Sequence, residues 1–221
     1  MERLDKLIDQ ELMASDSFKR AITHRSADGK NNERLEFLGD SVLGLIITTE
    51  LYKRMPRASE GYLSRLRASL VNENALAYLA SDIRLGDFLR LGPGELKSGG
   101  FRRKSILADA LEALIGCIYL ERGLSEAQAF VLNIYAQRFK ELPTEDDLKD
   151  PKSRLQEYLQ SRSMDLPLYN LLDVMGEAHK QSFRAECVIP ALKIRTEGQA
   201  NSRRKAEQDA AGLAFEIVRM L

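Results

Sequence analysis

The stretch NERLEFLGDS, residues 32–41, places three carboxylates inside an otherwise apolar pattern. Glu33, Glu36 and Asp40 stand at positions i, i+3 and i+7, so a helix would carry all three on one face. An apolar stripe would lie beside that face, made of Leu35, Leu38, Val42, Leu45 and Ile46. Because carboxylates at the edge of a buried stripe are costly unless a cation compensates them, the stretch predicts a helix with a candidate metal site.

A second acidic pair lies in ILADALEALIG, residues 106–116. Asp109 and Glu112 are three residues apart and would project from one helical face. In each segment a glycine follows the last acid by four residues, at Gly44 and at Gly116. We expect these small residues to let the two helices approach closely and bring the acids together.

Four carboxylates in one place repel one another and stay ionised at neutral pH when a cation lies among them. All-oxygen ligands favour Mg²⁺ or Mn²⁺, and such a site suits metal-assisted phosphodiester hydrolysis. The alternative is that the acids form ion pairs with arginines within the chain, namely Arg34, Arg65 or Arg67. Spacing alone leaves this alternative open, because charged helix faces are common.

Composition sets the broad class of the protein. The 221 residues are 44% hydrophobic, enough for one large domain or two small ones, and the net charge is zero. Any nucleic-acid affinity must therefore come from local clusters of cations. Cys117 and Cys187 stand far apart in apolar runs and are predicted to be buried thiols. The charged N-terminus carries no apolar signal region, so we expect a cytoplasmic protein without a membrane span.

The chain changes character near residue 143. Helical patterns precede it at 33–54, 59–80, 104–121 and 125–141, and a polar segment bounded by prolines, 143–150, is predicted to be a linker. A helix at 152–162, strands at 168–174, 182–189 and 192–196, and a helix at 203–220 follow. The pattern predicts an all-α domain over 1–142 and a small α+β domain over 151–221, with both helices on one sheet face.

The last helix opens with three cations, Arg203, Arg204 and Lys205, directly after Ser202. Cations in a first turn oppose the helix dipole, which favours anions there. This placement suggests an external anion such as phosphate, which backbone N–H groups and cations would bind together. A solvated charged turn is the alternative.

The stretch 32–41 resembles the signature of bacterial ribonuclease III. So do THRS at 23–26, LGPGELKSGG at 91–100 and LADALEA at 107–113, and the C-terminal region is similar to a double-stranded-RNA-binding domain. The resemblance covers essentially the whole chain in the family's order. It implies a homodimeric, Mg²⁺-dependent endoribonuclease, with Mn²⁺ as a substitute, that cuts both strands of duplex RNA during processing of ribosomal and other precursor RNAs. The products would carry 5′-phosphates and 3′-hydroxyls.

The resemblance also implies roles for individual residues. The metal ligands would be Glu36, Asp40, Asp109 and Glu112, of which Asp40 and Glu112 would also be catalytic. Glu33 and Glu60 would support this site. Phe37 would contact the dimer partner, although an ordinary core position is equally compatible with the sequence. The RNA contacts would be Gln156, Glu157, His179, Lys180, Ser202, Arg203, Arg204 and Lys205.

Two other functions remain to be weighed. A binding-only relative of the same fold could lose Asp40 or Glu112, whereas this chain retains every acid. A helical dimer with surface acids would leave the C-terminal domain unexplained. The glycine-rich loop 92–104 ends in Phe101, Arg102, Arg103 and Lys104 and lacks the spacing of a P-loop. We therefore expect no nucleotide cofactor and interpret this segment as a flexible basic loop beside the RNA, with a plain interhelix loop as the alternative.

Overall fold

The computed structural model describes residues 3–177 and 181–220, which form two compact units that divide between Pro143 and Thr144. In its described part the first unit is built from helices, with one isolated backbone bridge between Thr23 and Arg90. These helices are α1 (Leu4–Leu7), α2 (Gln10–Ala14), α3 (Asp16–Ala21), α4 (Glu33–Arg54), α5 (Glu60–Leu70), α6 (Glu73–Asp82), α7 (Pro93–Lys97) and α8 (Lys104–Ile134). The predicted all-α class of this part of the chain is therefore confirmed.

The centre of the first unit is the contact between α4 and α8. A Cβ atom on Gly39 would clash with the backbone carbonyl of Glu112, and one on Gly116 would clash with the carbonyl of Leu35. The two backbones therefore touch at this crossing, where a larger residue would hold them apart. Apolar side chains of both helices are buried on either side of it, among them Val42, Leu43, Ile46, Leu111, Leu114 and Ile115.

The sequence predicted two glycines at this crossing, and one of the two predictions was wrong. Gly116 lies there as expected, but its partner is Gly39, and a Cβ on Gly44 would have no neighbouring atom within 4 Å. Gly44 follows Gly39 by five residues, which turns it about 140° around the helix and away from α8. Leu45, predicted in the buried stripe, is likewise 54% exposed.

Two predicted helix boundaries also differ from the structure. The segment 59–80 is two helices, because Asn72 begins α6 by accepting a hydrogen bond from the Ala75 N–H at 3.0 Å. Gly123 (φ 83°, ψ 178°) interrupts α8 with non-helical backbone, as the predicted division into 104–121 and 125–141 requires, but the second part ends at Ile134 and not at 141. Glycine adopts this positive φ without the steric cost that a side chain would add.

The second unit contains a three-stranded antiparallel sheet with helices packed on one face. Its elements are α9 (Glu145–Leu148), α10 (Pro151–Ser161), β1 (Leu168–Met175), β2 (Ser182–Ile189), β3 (Ile194–Ala200) and α11 (Arg203–Arg219), with strand order β1-β2-β3. Side chains of α10 and α11 form the core with those of the sheet: Leu155, Leu159, Ala210, Ala211, Ala214, Val218, Cys187, Ile189 and Ile194. The predicted α-β-β-β-α order is confirmed.

The third strand starts later than predicted. Residues 192–196 were expected in it, but Pro190–Leu192 form a 3₁₀ turn and Lys193 is left-handed (φ 54°). The strand therefore begins at Ile194 and continues to Ala200. Its pairing with β2 runs from Ile189↔Ile194 to Phe183↔Ala200.

The predicted linker, 143–150, contains the one-turn helix α9. Thr144 and Asp147 form its capping box, in which each side chain accepts a hydrogen bond from the other's backbone N–H. The limits predicted for the flanking domains, 1–142 and 151–221, stay predictions.

Both cysteines are buried and unpaired, as predicted. Within the described residues, no helix is long and apolar enough to cross a membrane.

The glycine crossing gives a stability test. Gly39→Ala is expected to lower the free energy of unfolding by about 1–3 kcal/mol, because its Cβ would force α4 and α8 apart. Urea unfolding followed by circular dichroism measures the change. Gly44→Ala in the same helix is the control and is expected to be neutral or stabilising by up to about 1 kcal/mol, since alanine favours the helix. Equal destabilisation by both substitutions would contradict the assignment of the crossing.

Candidate active site

The crossing of α4 and α8 brings three carboxylates together. Oxygen atoms of Glu36, Asp109 and Glu112 all lie within 4.8 Å of one another. Glu36 precedes Gly39 by about one turn, and Glu112 precedes Gly116 by about one turn, so the contact between the backbones places both acids side by side. Asp109 lies one turn before Glu112 on the same face of α8. All three side chains are half-buried.

Asp40 lies at the edge of this group. It follows Glu36 by one turn on α4 and is exposed, outside the set of three oxygens that lie within 4.8 Å. Its charge is nevertheless close enough to raise the pKa of Glu112. The structure thus brings three of the four predicted ligands into one cluster and places the fourth beside it.

Burial and nearby negative charges raise the pKa values of all three clustered acids. Burial, followed by the charges of Asp40, Glu36 and Asp109, raises the pKa of Glu112 to about 8. Burial and the charge of Asp109 raise the pKa of Glu36, and burial and the charge of Glu73 raise that of Asp109. Without a cation, the cluster therefore retains protons that isolated carboxylates would lose.

The alternative of intramolecular ion pairs is wrong for these acids. In residues 3–177 and 181–220, none of Glu36, Asp40, Asp109 or Glu112 forms a salt bridge with a lysine, arginine or histidine. A salt bridge beside the cluster joins Arg25 Nη1 and Glu33 Oε1 at 3.4 Å, and its side chains are 71% and 54% exposed. Glu33 thus lies beside the cluster and is partly neutralised there.

The three acids could hold a divalent cation. Their ligand atoms are carboxylate oxygens, which suit Mg²⁺ or Mn²⁺ better than zinc, and their spacing allows one ion to contact all three. A cation would also offset the negative charges that, after burial, raise the pKa values of these groups. The donor set therefore fits the ion that the sequence predicts.

Glu36 and Asp109 open into a cavity of about 620 Å³. Besides them its walls include Glu33 and four residues that were not singled out from the sequence: His24, Ser26, Glu95 and Arg103. They lie in or next to the stretches 23–26 and 91–100, which carry the resemblance. The family resemblance therefore pointed to both loops, but the sequence did not show that both lie beside the acidic cluster.

Hydrogen bonds hold these two loops together. The His24 backbone N–H donates to the Arg90 carbonyl at 3.0 Å, and the Gly92 N–H donates to Ser26 Oγ at 2.9 Å. Ser26 Oγ also lies 2.8 Å from His24 Nδ1. These contacts fix one wall of the cavity.

Two further predicted residues lie outside the cluster. Glu60 starts α5, where its side chain accepts a hydrogen bond from Ser64 Oγ at 2.7 Å, and it does not line the acidic cavity. Phe37 projects from α4 and is 78% exposed, which rules out a core position within this chain.

Of the predicted RNA contacts of the second unit, those within the described residues lie on α10 and at the start of α11. Gln156 and Glu157 are exposed, and Glu157 Oε2 lies 2.7 Å from Lys149 Nζ. His179 and Lys180 lie outside the described residues. Ser202 caps α11 by accepting a hydrogen bond from the Lys205 N–H at 3.3 Å, and Arg203 pairs with Glu207. Arg204 and Lys205 are exposed on the first turn.

Comparisons with known proteins agree with this layout. The model of the family described as ribonuclease-III-like matches residues 15–139, and that of the double-stranded RNA binding motif matches residues 151–218. Ribonuclease 3 of Vibrio vulnificus (strain YJ016) is 51% identical over 98% of this chain and 96% of its own length. Ribonuclease 3 of Histophilus somni (strain 2336) is 49% identical over 100% of this chain and 99% of its own.

A solved structure supports the first unit separately. The nuclease domain of ribonuclease III from Campylobacter jejuni is 41% identical to this chain, with a TM-score of 0.57. It covers 62% of this chain, and the match spans 99% of that domain.

The two units therefore define a nuclease that carries its own double-stranded-RNA-binding domain. The chain belongs to the ribonuclease III family. It is a double-strand-specific endoribonuclease, and its chemistry depends on a divalent metal ion.

The raised pKa of Glu112 predicts how stability depends on pH. The usual value near 4.5 applies to the unfolded chain and about 8 to the folded, metal-free protein. Between these values the folded state binds more protons, so the free energy of unfolding falls as pH rises from 5 to 8. Glu112→Gln is expected to stabilise the metal-free protein at pH 8 by about 2 kcal/mol, discounted for partial exposure, and to flatten this slope.

Urea unfolding with a chelator at pH 5 and pH 8 measures the effect. Glu126→Gln changes an exposed acid of the same helix and is expected to keep the wild-type slope. If the free energy of unfolding of Glu112→Gln falls with pH as steeply as that of the wild type, the raised pKa does not belong to Glu112.

Proposed function

We propose that Glu36, Asp109 and Glu112, with Asp40 beside them, bind Mg²⁺, which Mn²⁺ can replace. The enzyme then hydrolyses phosphodiester bonds on both strands of duplex RNA and leaves 5′-phosphate and 3′-hydroxyl ends. The observation that carries this proposal is the group of three carboxylates within 4.8 Å of one another, which no salt bridge joins to a cationic side chain among the described residues. When bound, the ion would supply an activated water and stabilise charge on the leaving oxygen.

The roles of the acids follow from their surroundings. The pKa of Glu112 is raised furthest, to about 8, by burial and then by the charges of three carboxylates, and we assign Glu112 as a direct ligand. Asp40 is exposed at the mouth of the cluster, where its carboxylate can orient water at the reacting phosphate. Glu33, held by Arg25, would support the site from its rim. Glu60 is assigned an outer supporting role on the resemblance alone.

The active form would be a homodimer. Phe37, Leu45 and Tyr52 are 78%, 54% and 74% exposed, and their spacing of eight and seven residues places them along one side of α4. An apolar side of this kind suits burial against a second copy. The Campylobacter jejuni structure is described as showing flexibility in a region involved in dimer formation of its nuclease domain. With one site per subunit, each would cut one strand.

The second unit would bind the duplex by shape. Gln156 and Glu157 on α10 and the loop with His179 and Lys180 would contact successive minor grooves. The first turn of α11, with Ser202, Arg203, Arg204 and Lys205, would bind phosphates. Precursors of ribosomal and messenger RNAs are the substrates that we propose, and the cytoplasm is the proposed location.

A cleavage assay tests the catalytic proposal. The wild-type protein is expected to cut a long RNA duplex with Mg²⁺ and to bind it without cutting in Ca²⁺. Glu112→Ala is expected to lose cleavage by at least about 10³-fold while retaining duplex binding, because it removes a ligand but not the RNA surface. Gel analysis of the products and a binding titration give both values.

Single-stranded RNA of the same sequence and Glu126→Ala are the controls. Equal cleavage by Glu112→Ala would refute the assigned site, and equal cleavage of single strands would refute the assigned substrate. Duplex binding by a wild-type protein that never cuts would favour the binding-only alternative.

The basic turn of α11 has its own test. Replacing Arg204 and Lys205 by alanine is expected to weaken duplex binding and lower the slope of log K against log salt by about 2, one for each lost phosphate contact. Arg219→Ala, at the opposite end of α11 and paired with Glu216, is the control and should leave the slope unchanged. An unchanged slope in the double variant would contradict the predicted phosphate contacts.

A further inference from the structure

The acidic cavity has a cation on its wall to which the proposed chemistry gives no role. Arg103 lies at the N-cap of α8, six residues before Asp109, and its side chain lines the cavity that Glu36 and Asp109 also line. Its backbone is extended (φ −71°, ψ 128°). The side chain thus reaches the acidic cavity from the end of the loop that follows α7.

Glu95 of α7 and Ser98, which directly follows α7, hold the guanidinium in place. Arg103 Nη1 donates to Glu95 Oε1 at 3.0 Å, and Nη2 lies 3.4 Å from Ser98 Oγ. Glu95 is largely buried, with 23% of its side chain exposed, whereas 49% of the Arg103 side chain is exposed. Arginine has five N–H donors in a fixed plane, so these two contacts orient the group and leave donors that face solvent.

The cavity is negatively charged, so a cation at the position of Arg103 affects how a phosphate can approach it. A phosphate that approaches Glu36, Asp109 and Glu112 meets a surface of like charge, and a cation at the rim would offset the repulsion. A half-exposed ion pair contributes little to stability, so Arg103 can share its charge with a phosphate at small cost. A planar arginine also matches a phosphate with two parallel hydrogen bonds.

The neighbouring cations point elsewhere. The guanidinium of Arg102 lies 5.1 Å from the centre of the Phe101 ring and lines a separate cavity with Gly86 and Asp87. Lys104 Nζ donates to Asn74 Oδ1 at 2.8 Å. Of these three consecutive cations, Arg103 alone lines the acidic cavity.

We infer that Arg103, oriented by Glu95 and Ser98, binds a backbone phosphate of the RNA strand that enters the acidic cavity and so positions this strand against the carboxylates. This inference rests on the proposed function. Arg103 is a substrate-positioning residue, and the loop after α7 is the part of the nuclease unit that presents it. The contact is sequence-independent, since every nucleotide carries the same phosphate.

The test compares two adjacent arginines in the full-length protein with a long RNA duplex. Arg103→Ala is expected to raise KM about tenfold with a smaller change in kcat, and to lower the salt slope of duplex binding in Ca²⁺ by about 1. Arg102→Ala removes the same charge one residue away and is expected to match the wild type. Arg103→Lys is expected to keep the wild-type salt slope and to show a smaller increase in KM than Arg103→Ala, because it retains the charge without the planar group.

Glu95→Gln separates substrate binding from a structural role of the ion pair. It breaks the same pair but keeps the cation, so the salt slope is expected to stay at the wild-type value. If Glu95→Gln loses as much binding as Arg103→Ala, the pair acts by holding the loop and the inference fails. It also fails if Arg103→Ala equals wild type, or if Arg102→Ala has the same effect. A wild-type protein that neither binds nor cuts the duplex would instead refute the proposed function.

Discussion

The contact between the backbones of α4 and α8 at Gly39 and Gly116 is the constraint on which the rest of the nuclease unit depends. A Cβ atom at either position would clash with a carbonyl of the opposite helix. The apolar side chains around the crossing are buried by this approach, and the carboxylates one turn away are forced into one another's neighbourhood. Packing that stabilises the unit and repulsion that destabilises it therefore arise from the same contact.

This opposition gives the site its chemical character. Folding buries three acids and holds them closer than their charges favour, and both effects raise their pKa values, to about 8 for Glu112. A divalent cation would relieve the repulsion and gain affinity from the same pre-arranged oxygens. A protein that lowers its own stability at a site in this manner commonly does so for a function.

The two units divide the work of recognition according to their charge. The nuclease unit presents an acidic cavity, which under the proposals above would draw an RNA phosphate only when a metal ion or a cation such as Arg103 offsets the carboxylates. The second unit presents exposed cations on the first turn of α11, where the helix dipole adds to their attraction for phosphate. The net charge of zero thus conceals two local surfaces of opposite sign.

The sequence by itself determined the helical nuclease part, the α-β-β-β-α order and the four acids, because each depends on a local period or a short motif. The sequence did not predict the helix break at Asn72 or the start of β3 after Lys193. Apolar periodicity does not show these boundaries, because a helix cap sets the first and a left-handed residue sets the second. Only the tertiary structure decided that Gly39 and not Gly44 lies at the crossing, and that Asp40 stands at the edge of the acids. It also placed Glu95 and Arg103 on the cavity wall, because such contacts join residues far apart in the chain, and spacing within one helix carries no information about its neighbour.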